Sequence, residues 1–209
     1  MQQRQRIGFA IRLAAPPLAT ALVLGAIACG GGVSGAPTPK DVAKPTVVLP
    51  PDQVLTLEAS GIPPEDTVIT FQTGQPRSII LRHGEPDNTV FVELTFPDSA
   101  FAVPKDSLAP RDSVTVVVRP RPGLYAVDIA STIMPQRGAT IRFKYPVHFA
   151  APNEAIVRYG TRGRYERALM IGTIVDGTNY GMLPSDRPAS DNLRAAITGP
   201  GTYIVAAPR

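Results

Sequence analysis

Tryptophan is absent from the 209-residue chain, cysteine occurs once and histidine occurs twice. A single cysteine cannot form an intrachain disulfide bond, so the folded part has to be held together by its apolar core. The lack of tryptophan disfavours a flat carbohydrate-binding platform, which depends on large aromatic faces. The sequence also lacks a Gly-x-Ser-x-Gly elbow, a His-Glu-x-x-His pair, a phosphate-binding glycine loop and a catalytic thiol. These absences disfavour an enzyme, and we expect no cofactor and no metal.

The two histidines do not have the spacing of metal ligands. His83 begins the segment His-Gly-Glu-Pro-Asp, which brings an imidazole and two carboxylates close together in sequence. This segment can be interpreted as a metal loop or as a polar β-turn, and its residue types favour the turn. His148 has apolar neighbours, which favour a hydrogen-bonded structural role. The alternative to a non-catalytic protein is a ligand binder or hydrolytic enzyme whose site is assembled from distant residues around His83 or His148.

Proline is abundant and determines the expected fold class. Of the 23 prolines, nineteen lie at or after Pro45, and the longest proline-free interval beyond that point is 153–183. Because proline inside a helix removes a hydrogen bond and clashes with the preceding turn, long helices are excluded from most of the chain. Between the prolines, apolar and polar residues alternate in short runs. The pattern predicts an all-β protein, built as a sandwich or a barrel.

The predicted strands follow from this alternation. The clearest apolar faces are Val90, Val92, Leu94 and Phe96; Val114, Val116 and Val118; Tyr125, Val127 and Ile129; and Ile141, Phe143 and Tyr145. Further predicted strands are Val54–Glu58, Thr67–Gln72, Ser78–Arg82, Ala155–Tyr159, Leu193–Thr198 and Thr202–Ala206. Asp176 and Gly177 suit a two-residue hairpin turn. Arg164–Ile171 fits a helical face or a strand, and we favour the strand. Pro97–Asp112 and the proline-containing part of Gly181–Asn192 are expected to be loops.

A six-residue pattern occurs twice in the chain. Pro122-Gly-Leu-Tyr-Ala-Val recurs 78 residues later as Pro200-Gly-Thr-Tyr-Ile-Val. The pattern resembles the last strand of many immunoglobulin-like domains, where a turn is followed by a tyrosine that points into the sandwich. This resemblance implies an antiparallel immunoglobulin-like β-sandwich, and the repeat distance is close to the length of one such domain. We therefore predict two β lobes, residues 45–130 and residues 139–209, with one larger sandwich as the alternative.

The only cysteine, Cys29, ends an apolar segment that covers residues 14–28. The basic residues before this segment are Arg4, Arg6 and Arg12. The segment is shorter than the ~20 residues that a membrane-spanning helix needs, and its basic head and small final residues are typical of a secretory signal. Ala26-Ile27-Ala28 followed by Cys29 resembles the lipobox of bacterial lipoprotein precursors. The resemblance implies a signal peptide at residues 1–28 and a Cys29 that becomes the acylated first residue, carrying palmitate or a similar chain. The alternative is an ordinary signal peptide or an uncleaved anchor with an incidental cysteine.

The residues after Cys29 are rich in glycine, proline and serine, and we interpret 29–44 as a lipidated cysteine followed by a flexible tether. Fifteen residues of such chain have an r.m.s. span of ~20 Å. Gly30 lacks the acid that marks inner-membrane retention in some lipoprotein families, so the resemblance favours the outer membrane. The signal carries three arginines and no acid, which reduces the formal net charge from +4 to +1 for the mature chain and removes the main argument for a nucleic-acid partner. The expected partners are the lipid bilayer and an envelope protein that the sequence does not identify.

One local cluster is a candidate binding site. Its residues are Arg158, Arg162, Arg164 and Arg167, with Tyr159 and Tyr165 among them, around a glycine-rich turn. On a hairpin, these guanidinium groups would present several donors to phosphate or carboxylate groups, and anionic lipid headgroups are the nearest supply for a tethered domain. The alternative is a solvated hairpin whose charges prevent strand-to-strand aggregation.

Overall fold

The computed structural model describes residues 45–101, 112–145 and 149–209. The predicted signal peptide, Cys29 and the predicted tether lie outside the described residues, as do His148 and part of the loop predicted at Pro97–Asp112. The described chain is mostly β-strand, which confirms the all-β class. None of the helices in these three ranges is long and apolar enough to cross a membrane.

The described residues form fifteen strands and two short α-helices, numbered here in chain order, and a three-residue 3₁₀ helix at Pro51–Gln53. The first eight strands are β1 (Val47–Leu49), β2 (Val54–Thr56), β3 (Glu58–Ala59), β4 (Thr67–Gln72), β5 (Arg77–Arg82), β6 (Val90–Phe96), β7 (Ser113–Pro120) and β8 (Ala126–Ser131). They are followed by β9 (Thr140–Lys144), β10 (Phe149–Ala150), α1 (Asn153–Tyr159), α2 (Arg162–Ala168), β11 (Met170–Val175), β12 (Asn179–Met182), β13 (Ser185–Asp186), β14 (Asn192–Ala196) and β15 (Gly201–Pro208).

The strands build two antiparallel sheets around one apolar core. The larger, eight-stranded sheet has the order β1-β12-β11-β15-β8-β7-β4, with β2 also paired to β15. The smaller sheet has the order β13-β14-β9-β6-β5, and β3 and β10 form a separate pair. One continuous cluster of buried side chains includes residues from both sheets, so the fold is a β-sandwich-like arrangement rather than two unconnected sheets.

The predicted alternation corresponds to the burial in the central strands. Val114, Val116 and Val118 of β7 are fully buried, as are Ile141 and Phe143 of β9. Their neighbours in sequence lie on the opposite face and are half-buried or exposed. Each fully buried apolar side chain of this size contributes about 1.5–3 kcal/mol, so these faces supply much of the free energy that holds the sheets together.

The division into two lobes is wrong, because strands from both predicted lobes pair within the same sheets. β8 pairs with β15 in the larger sheet, and β6 pairs with β9 in the smaller one. The repeated Pro-Gly-x-Tyr-x-Val segments are neighbours rather than equivalent strands of two domains: the N–H of Val205 donates to the carbonyl of Tyr125 at 2.8 Å. Tyr125 and Tyr203 are both fully buried. The alternative of one larger sandwich describes the observed pairing.

The strand predictions fail in the longest proline-free interval. Ala155–Tyr159 belongs to α1, and Arg164–Ile171 divides into α2 and the start of β11. Without proline, the chain here can form the helical hydrogen bonds that proline prevents elsewhere. In the same interval the chain turns where predicted, and Asp176 and Gly177 have the positive φ values, 51° and 76°, that the predicted turn requires. The loop is one residue longer than predicted, because Val175 pairs with Asn179 and residues 176–178 join β11 to β12.

Candidate functional site

Local sequence explains why the arginine-rich segment forms two helices and not a hairpin. α1 ends at Gly160, whose φ of 75° is the left-handed conformation that commonly terminates a helix. Thr161 then begins α2, because its hydroxyl accepts a hydrogen bond from the backbone N–H of Arg164 at 3.2 Å. The glycine-rich stretch is therefore the junction between two helices.

Two tyrosines, the fully buried Tyr165 and the half-buried Tyr159, anchor this helix pair to the sandwich. The Tyr165 hydroxyl donates to the carbonyl of Leu55 at 3.3 Å, and the Tyr159 hydroxyl donates to the carbonyl of Pro208. The Phe149 ring contacts Tyr165 with a centroid distance of 6.3 Å. Burial raises the pKa of both tyrosines, so both hydroxyls stay protonated and able to donate. Tyr165 is fully buried, so its predicted place in a binding surface is wrong and its role is to anchor α2.

Arg187 binds the C-terminal end of the same helix, α2. Its guanidinium donates to the carbonyls of Leu169 at 3.1 Å and of Glu166, and to the Tyr145 hydroxyl at 2.6 Å. A cation at the C-terminal end of a helix satisfies free carbonyls and interacts favourably with the helix dipole. Sequence reasoning missed this residue. Its partners lie at least eighteen residues away in the chain, so no local pattern could have revealed it.

Two of the four predicted arginines have structural partners. The side chain of Arg158 donates to the backbone carbonyl of Arg209 at 3.3 Å, and the Arg209 guanidinium forms an ion pair with Glu154 at 3.0 Å. The Arg162 guanidinium lies 4.2 Å from the centroid of the Phe149 ring, within the range of a cation–π interaction. All four arginines are exposed, but these two also hold the helix pair against the rest of the fold.

The other two arginines face solvent beside exposed apolar residues. Within the described residues, no hydrogen bond or ion pair involves the side chains of Arg164 and Arg167. Val157 is 85% exposed and Ile156 is 36% exposed. A Cβ atom on Gly160, three residues after Val157, would lie 3.8 Å from a guanidinium nitrogen of Arg164, so the Arg164 side chain reaches the C-terminal end of α1. We call Ile156, Val157, Arg164 and Arg167 the helical face.

The apolar half of the helical face was not predicted from the sequence. Its residues were assigned to a strand, where alternate side chains would have been buried. In the helix, Ala155 and Tyr159 point inward one turn apart, which leaves Ile156 and Val157 on the outer side. A helical interpretation of this segment would have separated the two faces.

His83 lies in the interior of the sandwich. Its side chain is nearly fully buried, and Nδ1 lies 3.3 Å from the carbonyl oxygen of Ile62. Its ring makes edge-on contacts with Phe91 and Tyr125 at centroid distances of 5.2 and 6.2 Å. The segment after it forms a turn between β5 and β6, in which the Thr89 hydroxyl donates to the Asp87 carboxylate at 2.8 Å.

A shallow cleft lies beside this turn. It has a volume of about 340 Å³ and is open to solvent, and its lining includes Thr67, Ile80 and Arg82. The described residues contain no group of three or more histidine, cysteine or carboxylate side chains placed to hold a metal ion. His148 lies outside the described residues, so the structure does not test the alternative of a site assembled around it.

The sheet edges in the described part of the chain differ in how they are protected. β1 has three residues between Pro45 and Pro50, and β13 has two. β5 begins and ends with arginine and has a register shift near its end. β4, in contrast, is a regular six-residue strand, Thr-Val-Ile-Thr-Phe-Gln, without charge or proline, and its Val68 is 64% exposed. Charges, prolines, bulges and short length are the usual means of preventing strand addition, so β4 is the edge most open to another strand.

Comparison with known proteins gives no relative from which a site could be transferred. No family model matches the chain. A search of curated proteins finds no match, and a search of solved structures finds none either.

Proposed function

We propose that the chain is a bacterial envelope lipoprotein, anchored through acylated Cys29, whose immunoglobulin-like β-sandwich makes non-catalytic contacts with protein and envelope surfaces. The observation that carries this proposal is the apolar segment that ends at the only cysteine of the sequence. The glycine following that cysteine favours the outer membrane. Two acyl chains, at about 0.8 kcal/mol per buried CH₂, hold a protein stably on a bilayer, whereas one chain binds reversibly.

The geometry of the sandwich supports a contact function. The tyrosine of each repeated Pro-Gly-x-Tyr segment is buried in the core, as the immunoglobulin-like resemblance implies. The exposed features are a helical face with apolar and basic groups and an unprotected edge at β4. Both features suit contacts with larger surfaces: the first with an anionic surface, the second with an extended protein segment that adds a strand through main-chain hydrogen bonds.

Replacement of Cys29 tests the anchor. Wild type, Cys29→Ala and the control Ser34→Ala, which changes a neighbouring residue of the predicted tether, are separated by detergent phase partitioning after signal cleavage. We expect wild type and Ser34→Ala in the detergent phase and Cys29→Ala in the aqueous phase. If Cys29→Ala stays in the detergent phase with its signal removed, the lipoprotein assignment is wrong.

A further inference from the structure

The helical face combines two kinds of exposed group that membranes attract. Val157 is the most exposed large apolar residue of the described chain. Arg164 and Arg167 lie on the following helix without side-chain partners among the described residues. Of the acids nearby, Glu154 forms an ion pair with Arg209, and Glu166 interacts with the Tyr145 hydroxyl, whose pKa it helps to raise. The outer side of the helix pair is therefore basic and apolar, which matches an interface with anionic headgroups above and acyl chains below.

A series of contacts connects the start of the described chain to the strand that holds this helix pair. Pro45 packs on Gly181, and the next backbone N–H donates to the carbonyl of Met182 at 2.7 Å. Met182 packs with Val54 and Ala206, and β15 continues from Ala206 to the carbonyl that binds Tyr159 of α1. Pro45 therefore lies at the β1 edge of the larger sheet and is connected by packing to β15, which contacts α1.

The length of the predicted tether limits how far this side can be from the bilayer. A flexible chain with the number of residues in 30–44 would have an r.m.s. span of ~20 Å. A compact domain of the described size has a radius of gyration of about 15 Å and so a diameter of about 40 Å. The r.m.s. span of such a chain is about half the width of the domain, so the side nearest Pro45 is on average the side closest to the leaflet.

We infer that the helical face docks on the anionic leaflet to which the chain is anchored, with Val157 inserted among the headgroups and Arg164 and Arg167 paired with lipid phosphates. This inference rests on the proposed lipid anchor and adds an orientation to it: the helices face the bilayer, and the β4 edge is left for contact with a protein. Arg158 and Arg162 contribute less, because their side chains are engaged with Arg209 and Phe149.

Because the chain has no tryptophan, one substitution creates a site-specific reporter. Val157→Trp places the only indole on the helical face, and Val68→Trp, at another exposed valine on β4, is the matched control. Each protein is purified from membranes and reconstituted into vesicles of phosphatidylcholine alone or mixed with phosphatidylglycerol. We expect Val157→Trp emission to shift to the blue in the anionic vesicles only and to return at high salt, where the Debye length falls from about 10 to about 3 Å. Val68→Trp emission should be the same in both.

Charge variants in the Val157→Trp background test the arginines. Removing one arginine near an anionic surface should lower the ratio of docked to undocked protein about fivefold. Removing two should therefore lower this ratio about 30-fold. Arg164→Gln with Arg167→Gln should therefore abolish the blue shift. The control pair Arg77→Gln with Arg137→Gln removes the same charge from two exposed arginines and should leave the shift intact.

The control arginines lie near the end of β6 that is farther from the helices; Arg137 precedes Gly138, which lies against Pro97, the residue after Phe96. Arg77 pairs with Phe96, at the far end of β6 from Phe91. Phe91 begins the series of ring contacts through Tyr125 and Tyr145 that leads to Phe149 beside α2. Five residues of strand separate the two phenylalanines by about 17 Å. A charge effect that depends only on net charge would appear equally in both pairs.

The outcomes separate the docking face from the anchor. Flotation with both vesicle types and a blue shift in the anionic ones supports both proposals. Flotation with both and no shift overturns the docking face and leaves the anchor intact. Flotation with anionic vesicles only, lost on replacing Arg164 and Arg167, supports the face and overturns the anchor. No flotation with either vesicle overturns both.

A measurement on the wild-type chain guards against disruption by the reporter. Hydrogen–deuterium exchange should be slower across residues 153–168 in anionic vesicles than in neutral ones. Equal exchange in the two vesicle types would overturn the docking face, whatever the tryptophan variant shows.

Discussion

Tyr203→Phe should destabilise the domain by about 2–3 kcal/mol. The Tyr203 hydroxyl accepts hydrogen bonds from the backbone N–H groups of Thr198 at 2.8 Å and Gly199 at 3.1 Å, and it donates to the carbonyl of Gly199 at 2.7 Å. It therefore fixes the segment that carries the chain from β14 in the smaller sheet to β15 in the larger one. Removal of the hydroxyl leaves two N–H groups and a carbonyl without partners at a buried position, and each unsatisfied group of this kind costs about 1–3 kcal/mol.

The expected loss is at or below the lower limit of the summed cost, about 3 kcal/mol, because the three bonds share one oxygen and the segment can relax. For a domain of this size, such a loss corresponds to a decrease in melting temperature of about 5–10 °C. The assay is urea unfolding of the chain with Cys29→Ala, followed by circular dichroism. The slope m should not change, because the surface exposed on unfolding stays the same.

Tyr180→Phe is the matched control. Tyr180 lies on β12 and is half-buried. We expect its loss to change the free energy of unfolding by about 0.5 kcal/mol or less. If Tyr203→Phe were equally harmless, the hydroxyl would not hold the crossing between the sheets, and this part of the packing argument would be wrong.

Three further predictions concern the helix support, the buried phenols and the open edge. Arg187→Met should lower the free energy of unfolding by about 2 kcal/mol, because two carbonyls at the C-terminal end of α2 lose a charged donor. The control Arg137→Met, at an exposed position, should change it by about 0.5 kcal/mol or less, and equal effects would contradict the role of Arg187 in supporting α2. Burial raises the folded-state pKa of four tyrosines, Tyr145, Tyr159, Tyr165 and Tyr203. Their contribution to the free energy of unfolding should be fully present below pH ~10, where the phenols of the unfolded chain are protonated, and should decrease as the pH rises above that value. Phenol absorbance that titrates fully before unfolding would contradict this. Val68→Lys should reduce crosslinking of the anchored protein to an envelope partner without changing the melting temperature. The control Met134→Lys, at another exposed apolar position, should leave crosslinking unchanged, and equal crosslinking in both variants would show that β4 is not the contact edge.

The central strands could be predicted from the sequence because each has one buried face. In β7 and β9 the alternation of valine, isoleucine and phenylalanine with polar residues is a direct consequence of the pleat, so position along the chain is enough to identify the inward residues. The turn at Asp176 and Gly177 was predictable for a similar reason, since few residue pairs accept positive φ at both positions.

The pairing of strands could not be predicted in the same way. Local alternation does not encode which distant strand lies alongside, and the repeated Pro-Gly-x-Tyr segments suggested two domains although they are adjacent in one sheet. The helices were missed because each has only seven residues, too few for periodicity to distinguish a helix from a strand. The sequence located the arginine cluster, but the distinction between engaged and solvent-facing arginines depends on partners such as Phe149 and Arg209, which only the tertiary fold brings near.

The mass of the mature protein tests the lipoprotein assignment most directly. The chain is extracted from the membrane fraction, digested, and its N-terminal peptide is analysed by mass spectrometry. We predict a peptide that begins at Cys29 and carries the added mass of a thioether-linked diacylglycerol, with a further acyl chain where the amino group is also modified. A mature chain that begins at another residue, or an unmodified Cys29, would contradict the lipid anchor and the orientation derived from it.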